Sequence, residues 1–181
     1  VYILCSIFFI SYLLLPFEDF PISPDGVLHS DEPADTESAN RIAYFTNQSR
    51  EEIVSHYQQV FNKGFFTFWP FLTLRLNYPP EEGQKIIRDQ TRSSYLEEIT
   101  HPFRESIFIN GFVPKDEKDR IFIGAQVWHQ KITVKYVNSS LFARIAIGFL
   151  AVVLVAIVFN MYRVSIAEFV KVIKTLRTNF K

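Results

Sequence analysis

One cysteine, Cys5, is all that the 181 residues contain, and it stands inside an uncharged apolar run. No internal disulfide can form, so a folded domain in this chain is held by packing alone. That leans away from a secreted eukaryotic module and towards a bacterial or archaeal envelope. Tyr2-Ile3-Leu4 before the cysteine lack the small residue of a lipoprotein cleavage point, so Cys5 reads as an apolar helix residue. Glycine is scarce as well, with six in all, and neither a Gly-rich phosphate loop nor a G-x-S-x-G nucleophile turn is present. The four histidines, His29, His56, His101 and His129, never stand at an H-x-x-x-H spacing. The common zinc patterns are thereby excluded. The central region has no basic run interleaved with aromatics, which argues against nucleic acid as a partner.

What the chain does have is hydrocarbon. Ile145–Tyr162 carries no charge and is bracketed by Arg144 and Arg163. A bilayer crossing needs about 20 such residues, so 141–163 is expected to be a transmembrane helix. Val1–Leu15 is a second uncharged run, closed by Pro16. Its length is short for a crossing. It opens without Met or a basic lead-in, so 1–16 reads as the outer part of a first transmembrane helix whose beginning lies upstream. A cleaved signal peptide is the rival, but no small-x-small site follows the run.

Charge gives the expected sidedness. Pro16–Ala143 holds 18 acids against 13 Lys/Arg, whereas Arg163–Lys181 holds five basic residues against one Glu. Positive flanks mark the cytoplasmic side. Both termini are therefore expected in the cytoplasm and residues 17–140 outside it, in a two-pass cell-membrane protein.

Between the apolar runs, 17–40 has three prolines and seven acids without apolar periodicity, and reads as an extended acidic linker. The segment 41–138 reads as a domain. Arg41–Thr46 is strand-like. Ser49 with Glu52 makes a capping-box pattern before a helix whose apolar face is Ile53, Val54, Tyr57, Val60 and Phe61. Phe65–Tyr78 is the strongest strand signal, with Pro70 marking an edge or a break. Pro79-Pro80-Glu81-Glu82 predicts a second helix running to His101-Pro102 with Ile86, Ile87, Tyr95 and Ile99 buried. Ser106–Val113 is strand-like. In Arg120–Val137 the apolar residues move from odd positions (Ile121, Ile123) to even ones (Ile132, Val134). A one-residue slip turns every side chain over, so Trp128–Lys131 must hold a bulge or a turn. The absence of Asn-Gly or Asp-Gly favours one long bulged strand.

The expected fold is α+β: a small extracytoplasmic sandwich of a mainly antiparallel sheet with helices on one face, ferredoxin-like in one version, between two transmembrane helices. The tail 164–181 repeats Ile166, Phe169, Val170 and Ile173 against Lys171 and Lys174, the pattern of a basic amphipathic helix lying on the inner membrane surface.

Catalytic signals are thin. Glu51/Glu52, Glu81/Glu82 and Glu97/Glu98 are sequence neighbours on expected helices and do not face one another. Only His129, at the phase slip beside Trp128, stands out among the histidines. Asn47 and Asn138 begin N-x-S sequons. No catalytic, cofactor or metal residue is assigned. The expected function is a non-catalytic membrane-anchored subunit that binds the bilayer and other membrane-protein subunits, or a second copy of itself. The expected contact residues are Phe66, Phe68, Trp69 and Phe71, then Trp128 and the tail positions Phe169, Val170 and Ile173. The alternative is an extracytoplasmic ligand-binding or sensor domain signalling through its transmembrane helices. The third reading is a membrane-tethered enzyme using His129 or acids brought together by folding.

Overall fold

A computed structural model of the chain describes residues 1–16, 20–61, 73–88 and 92–179, with side chains to 176. In chain order its elements are helix α1 (Tyr2–Leu14), strand β1 (Leu28–His29), helix α2 (Pro33–Thr36), strand β2 (Arg41–Thr46), helix α3 (Arg50–Phe61), strand β3 (Leu74–Tyr78), helix α4 (Pro80–Ile86), strands β4 (Tyr95–Thr100) and β5 (Glu105–Phe112), a short hairpin β6 (Ile121–Ile123) and β7 (Gln126–Trp128), strand β8 (Gln130–Asn138) and helix α5 (Leu141–Asn179). They form two compact units, one of Val1–Leu15 with Ser140–Lys181 and one of Pro16–Ser139.

The second unit is α+β. Six of its eight described strands form one sheet in the order β1-β2-β8-β5-β4-β3, in which every pairing is antiparallel, and β6 and β7 pair separately. A ferredoxin-like split β-α-β leaves one strand between the two that its helix joins. Here α3 joins β2 to β3, with β8, β5 and β4 between them, so the order is a different one.

The register sorts the side chains into two faces, because alternate residues point opposite ways. Tyr44 lies opposite Ile132, Ile109 opposite Val134, Ile107 opposite Tyr136, and Ile99 opposite Ile107. These apolar residues share one face and are buried under Ile53, Val54, Tyr57 and Phe61 of α3. The start of α3 is fixed as expected: the Ser49 N–H donates to Glu52 Oε2 at 2.7 Å, and the Glu52 N–H returns to Ser49 Oγ at 3.4 Å.

The opposite face carries Arg41, Lys131, Thr133, Lys135 and Asn110, and it is covered too. Lys135 Nζ donates to the Ile86 carbonyl at 2.8 Å and Arg41 to the Arg88 carbonyl at 3.0 Å, which seats the end of α4 there. Helices therefore flank the sheet on both faces, not on one. Residues 20–40 are part of this architecture. Phe20 packs edge-on against Tyr136, β1 pairs with β2, and Asp35 of α2 is buried. Two acids of the expected linker are paired with the sheet: Asp35 with Arg41 and Lys131, and Glu32 with Lys131.

Tyr95–Thr100 is a strand where a helix end was expected. In the middle of a sheet covered on both sides, Tyr95-Leu96-Glu97-Glu98-Ile99 is buried throughout, so its charges hide the strand alternation. Gly111 of β5 lies opposite Tyr95, and a Cβ there would sit 2.1 Å from the Tyr95 ring. The glycine is needed for that close approach; it marks no bulge. The phase slip near Trp128 also resolves differently. A turn at Gly124, with φ of 63°, closes the β6–β7 hairpin, and a separate strand β8 begins after His129.

In the first unit α1 packs along α5. Arg144 donates to the Leu15 carbonyl at 3.3 Å, Gly148 faces Leu13 and Ile10, and the Tyr2 hydroxyl reaches the Val152 carbonyl. Positions rise on α5 as they fall on α1, so the pair is antiparallel. Gly148 permits the approach, since a Cβ there would meet Leu13 Cδ1 at 2.3 Å. Among the described residues one helix, over Leu141–Leu176, is long and apolar enough to cross a membrane. The 13 residues of α1 reach about 20 Å, less than the roughly 30 Å of a hydrocarbon core, so the two-span expectation is not met by α1 as it stands. Helix α5 runs unbroken through residue 164 to Asn179, so the tail is helical and continuous with the long apolar segment.

Candidate functional site

Three buried polar clusters come first, because such groups mark either function or structure. Glu97 is fully buried and is held by Arg50 and by Arg75 Nη2 at 2.9 Å; Arg75 also meets Glu51 at 3.0 Å. Burial out of water pushes the Glu97 carboxyl up, but the hydrogen bonds and charges of Arg75 and Arg50 outweigh it and hold the group below its usual range. The same bonds to Glu97 and Glu51 raise Arg75. Arg50 also lies 4.8 Å over the Tyr95 ring. In the second cluster, Asp35 receives Lys131 at 2.6 Å, Ser30 Oγ at 2.6 Å and Arg41 at 3.4 Å. The third lies at the β4–β5 turn. His101 Nδ1 is 3.0 Å from Glu105, Arg104 is 2.8 Å from the same carboxylate, and Phe61 stacks on His101 at 4.2 Å. Arg104 further donates to the Pro16 carbonyl at 2.8 Å, and its own carbonyl accepts from Ser139 Oγ at 2.6 Å. Each cluster joins segments distant in sequence and neutralises its charges internally, which fits a structural role. Among the described residues no group of three His, Cys, Asp or Glu could hold a metal ion.

Tyr44 and Tyr57 share a 3.0 Å hydrogen bond in the core. Burial pushes the hydroxyls of both well above the usual tyrosine range. They remain neutral and bonded to one another, not poised for proton transfer.

Of the expected contact residues, Phe66, Phe68, Trp69 and Phe71 lie outside the described residues. Phe169, Val170 and Ile173 are exposed on α5. Trp128 closes β7, opposite Ile121, and is only 8% exposed. Among the histidines, His29 bonds Ser23, and His56 donates from Nε2 to the Ile22 carbonyl at 2.8 Å. His101 is buried at the turn described above, and His129 faces a pocket. Asn138 is exposed at the end of β8.

That pocket is a concavity of about 330 Å³ lined by Asn47, Pro114, Arg120, Val127, Trp128 and His129. It forms where the ladder stops. Thr46 pairs with Gln130, so the next residues, Asn47 and His129, are brought side by side at the sheet end. There Asn47 Oδ1 accepts the His129 backbone N–H at 2.9 Å. Pro114 follows β5, and Arg120 precedes β6. Four separate segments supply the walls, so no local motif announces them; the phase slip at Trp128–Lys131 was the one pointer. A second concavity, of about 380 Å³, lies between α4 and the 112–119 segment. Its walls mix both charge signs, and Arg92 there is paired with Asp119 at 2.6 Å.

On α5, Phe149, Phe159 and Met161 are among many large apolar side chains left exposed. Compared with protein-family models, curated proteins and solved structures, the chain matches none of them.

Proposed function

We propose that this chain is a non-catalytic, membrane-anchored subunit whose α+β unit makes protein–protein contacts in a larger membrane assembly. The observation that carries this reading is α5. Its apolar window is only 11% buried, so its hydrocarbon surface faces outward along many turns. In water that surface would be a large exposed apolar patch; in a bilayer it is matched to its solvent. Helix α1 rides against it through Leu13 and Gly148 as a companion helix. An apolar, helical extension ahead of Val1 would be needed to make α1 a second span.

The basic residues Arg163, Lys171 and Lys174 support a cytoplasmic C-terminus, with the acidic unit outside in a bacterial or archaeal cell membrane. The partners are the bilayer and other membrane-protein subunits or a second copy, contacted through the aromatic segment around Phe66, Phe68, Trp69 and Phe71 and through exposed positions of α5. His129 has no carboxylate among the residues lining its pocket, so a general base there lacks the usual orienting group. This supports the non-enzymatic reading.

Membranes from expressing cells, washed with alkaline carbonate, should retain the chain, and protease added to intact spheroplasts should digest Pro16–Ser139. Release by carbonate would refute the anchor, and protection from protease would refute the sidedness. Crosslinking in native membranes should yield a defined larger species; a monomer alone would count against the subunit role.

A second reading, a sensor that reports ligand binding through its helices, draws on the pocket at the sheet end and on the direct run from β8 through Ser139 and Ser140 into α5.

A further inference from the structure

The geometry points to the concavity between Asn47, Arg120 and Trp128–His129 as a binding site for a small organic carboxylate with an apolar body. Its lining supplies donors and contains no acid, and the acid that meets Arg120, Glu117, stands outside the lining. Arg120 brings a guanidinium, and His129 brings an imidazole. Asn47 spends its side-chain oxygen on the His129 N–H, which leaves its amide nitrogen for a ligand oxygen. Trp128 adds an indole N–H that is buried and has no acceptor among the described residues. An unused buried donor is costly and is normally retained for a reason.

The rest of the lining is apolar. Val127, Pro114 and Trp128 supply apolar surface for a hydrocarbon stub beside the donors. At about 330 Å³ the cavity is at the small end of the range for ligand pockets, which favours a compact acid over a nucleotide or a peptide. Arginine suits the role because its planar fork matches a carboxylate in a way that an ammonium does not.

The protein already holds a stand-in for the ligand. Glu117 reaches Arg120 Nη2 at 2.9 Å, although both side chains are largely exposed, 86% and 54% respectively. Such an exposed pair is weak. A ligand that also buries apolar surface in the pocket would displace it. The second concavity lacks this logic, since its Arg92 is matched to Asp119 and further acids line it.

Pentanoate is the probe, with pentanamide as its uncharged counterpart, added to the full chain in a non-ionic detergent at fixed ionic strength. Trp69→Phe leaves Trp128 as the single indole, because the chain has two tryptophans. Pentanoate should change the Trp128 emission saturably, and calorimetry should give the same Kd. Pentanamide should bind about tenfold more weakly or not at all. Arg120→Gln should weaken pentanoate about tenfold without moving the melting temperature, and Arg120→Lys should recover part of the loss. Glu117→Gln should tighten binding several-fold by freeing the guanidinium, an effect that structural damage cannot mimic. Equal responses to pentanoate and pentanamide, no saturation, or unchanged affinity in Arg120→Gln would each overturn the proposal. The anchor and subunit reading is tested separately and survives any of these results.

Discussion

The two faces of the central sheet solve the same burial problem with opposite chemistry. One face is isoleucine, valine and tyrosine under α3. The other carries Arg41, Lys131, Lys135 and Asn110 under α2 and the end of α4, and its charges and amides are covered nearly as well. The apolar face gains from leaving water, and its cost on damage scales with the void left behind. The polar face gains little from burial. It is stable only while each charge keeps its partner, so damage there falls on whatever is left unpaired. Burial alone therefore does not say what holds a sheet together.

The largest expected effect is on the apolar face. Ile107→Ala, in a central strand and fully buried, should cost about 3–4 kcal/mol in denaturant unfolding of the detergent-solubilised chain. Next comes the polar face. Asp35→Ala leaves Lys131 and Arg41 without their shared anion and should cost about 2–3 kcal/mol. Changing all three members together, Asp35→Leu with Arg41→Met and Lys131→Met, should recover most of that, because no charge of the cluster is then left unpaired; recovery of none would mean that the cluster is worth more than its desolvation.

Glu97 sharpens the comparison, being a carboxylate among the apolar residues. Its folded pKa lies below the unfolded value of about 4.3. Its stabilisation is thus fully present above that value and is lost as pH falls through the folded one. Glu97→Gln should lower stability at pH 7 by about 1–2 kcal/mol, since Arg50 and Arg75 keep roughly a third of their exposure and can be solvated. The gap between wild type and variant should close as pH is lowered below about 4; a gap that persists there would assign the loss to packing. The smallest effect is at the β4–β5 turn, where Phe103 adopts φ of 65°. Phe103→Gly relieves that left-handed strain and should raise stability by about 1 kcal/mol, read as a higher melting temperature.

How far the sequence could be read follows the same division. β2, α3 and β5 stand where periodicity and the Ser49–Glu52 box put them, because the apolar residues of the two strands pack against the apolar face of α3. β4 was hidden by Glu97 and Glu98, which look like helix-surface acids until Arg50, Arg75 and Tyr78 appear beside them. Glu32 and Asp35 looked like solvated linker acids because their cations, Arg41 and Lys131, come from β2 and β8. The outward apolar surface of α5 was legible from Ile145–Tyr162 alone. The pocket was not, since Asn47, Pro114, Arg120 and His129 meet only after the sheet has set its register.

Strand β8 begins next to His129 and ends at Asn138, with only Ser139 and Ser140 before the first residue of α5. Eight ladder pairs to β5 and six to β2 clamp it on both sides. A strand so held cannot slip by one residue without turning Ile132 and Val134 out of the core. Whatever displaces the chain at its pocket end must either be absorbed within that end or carry the whole length of backbone with it.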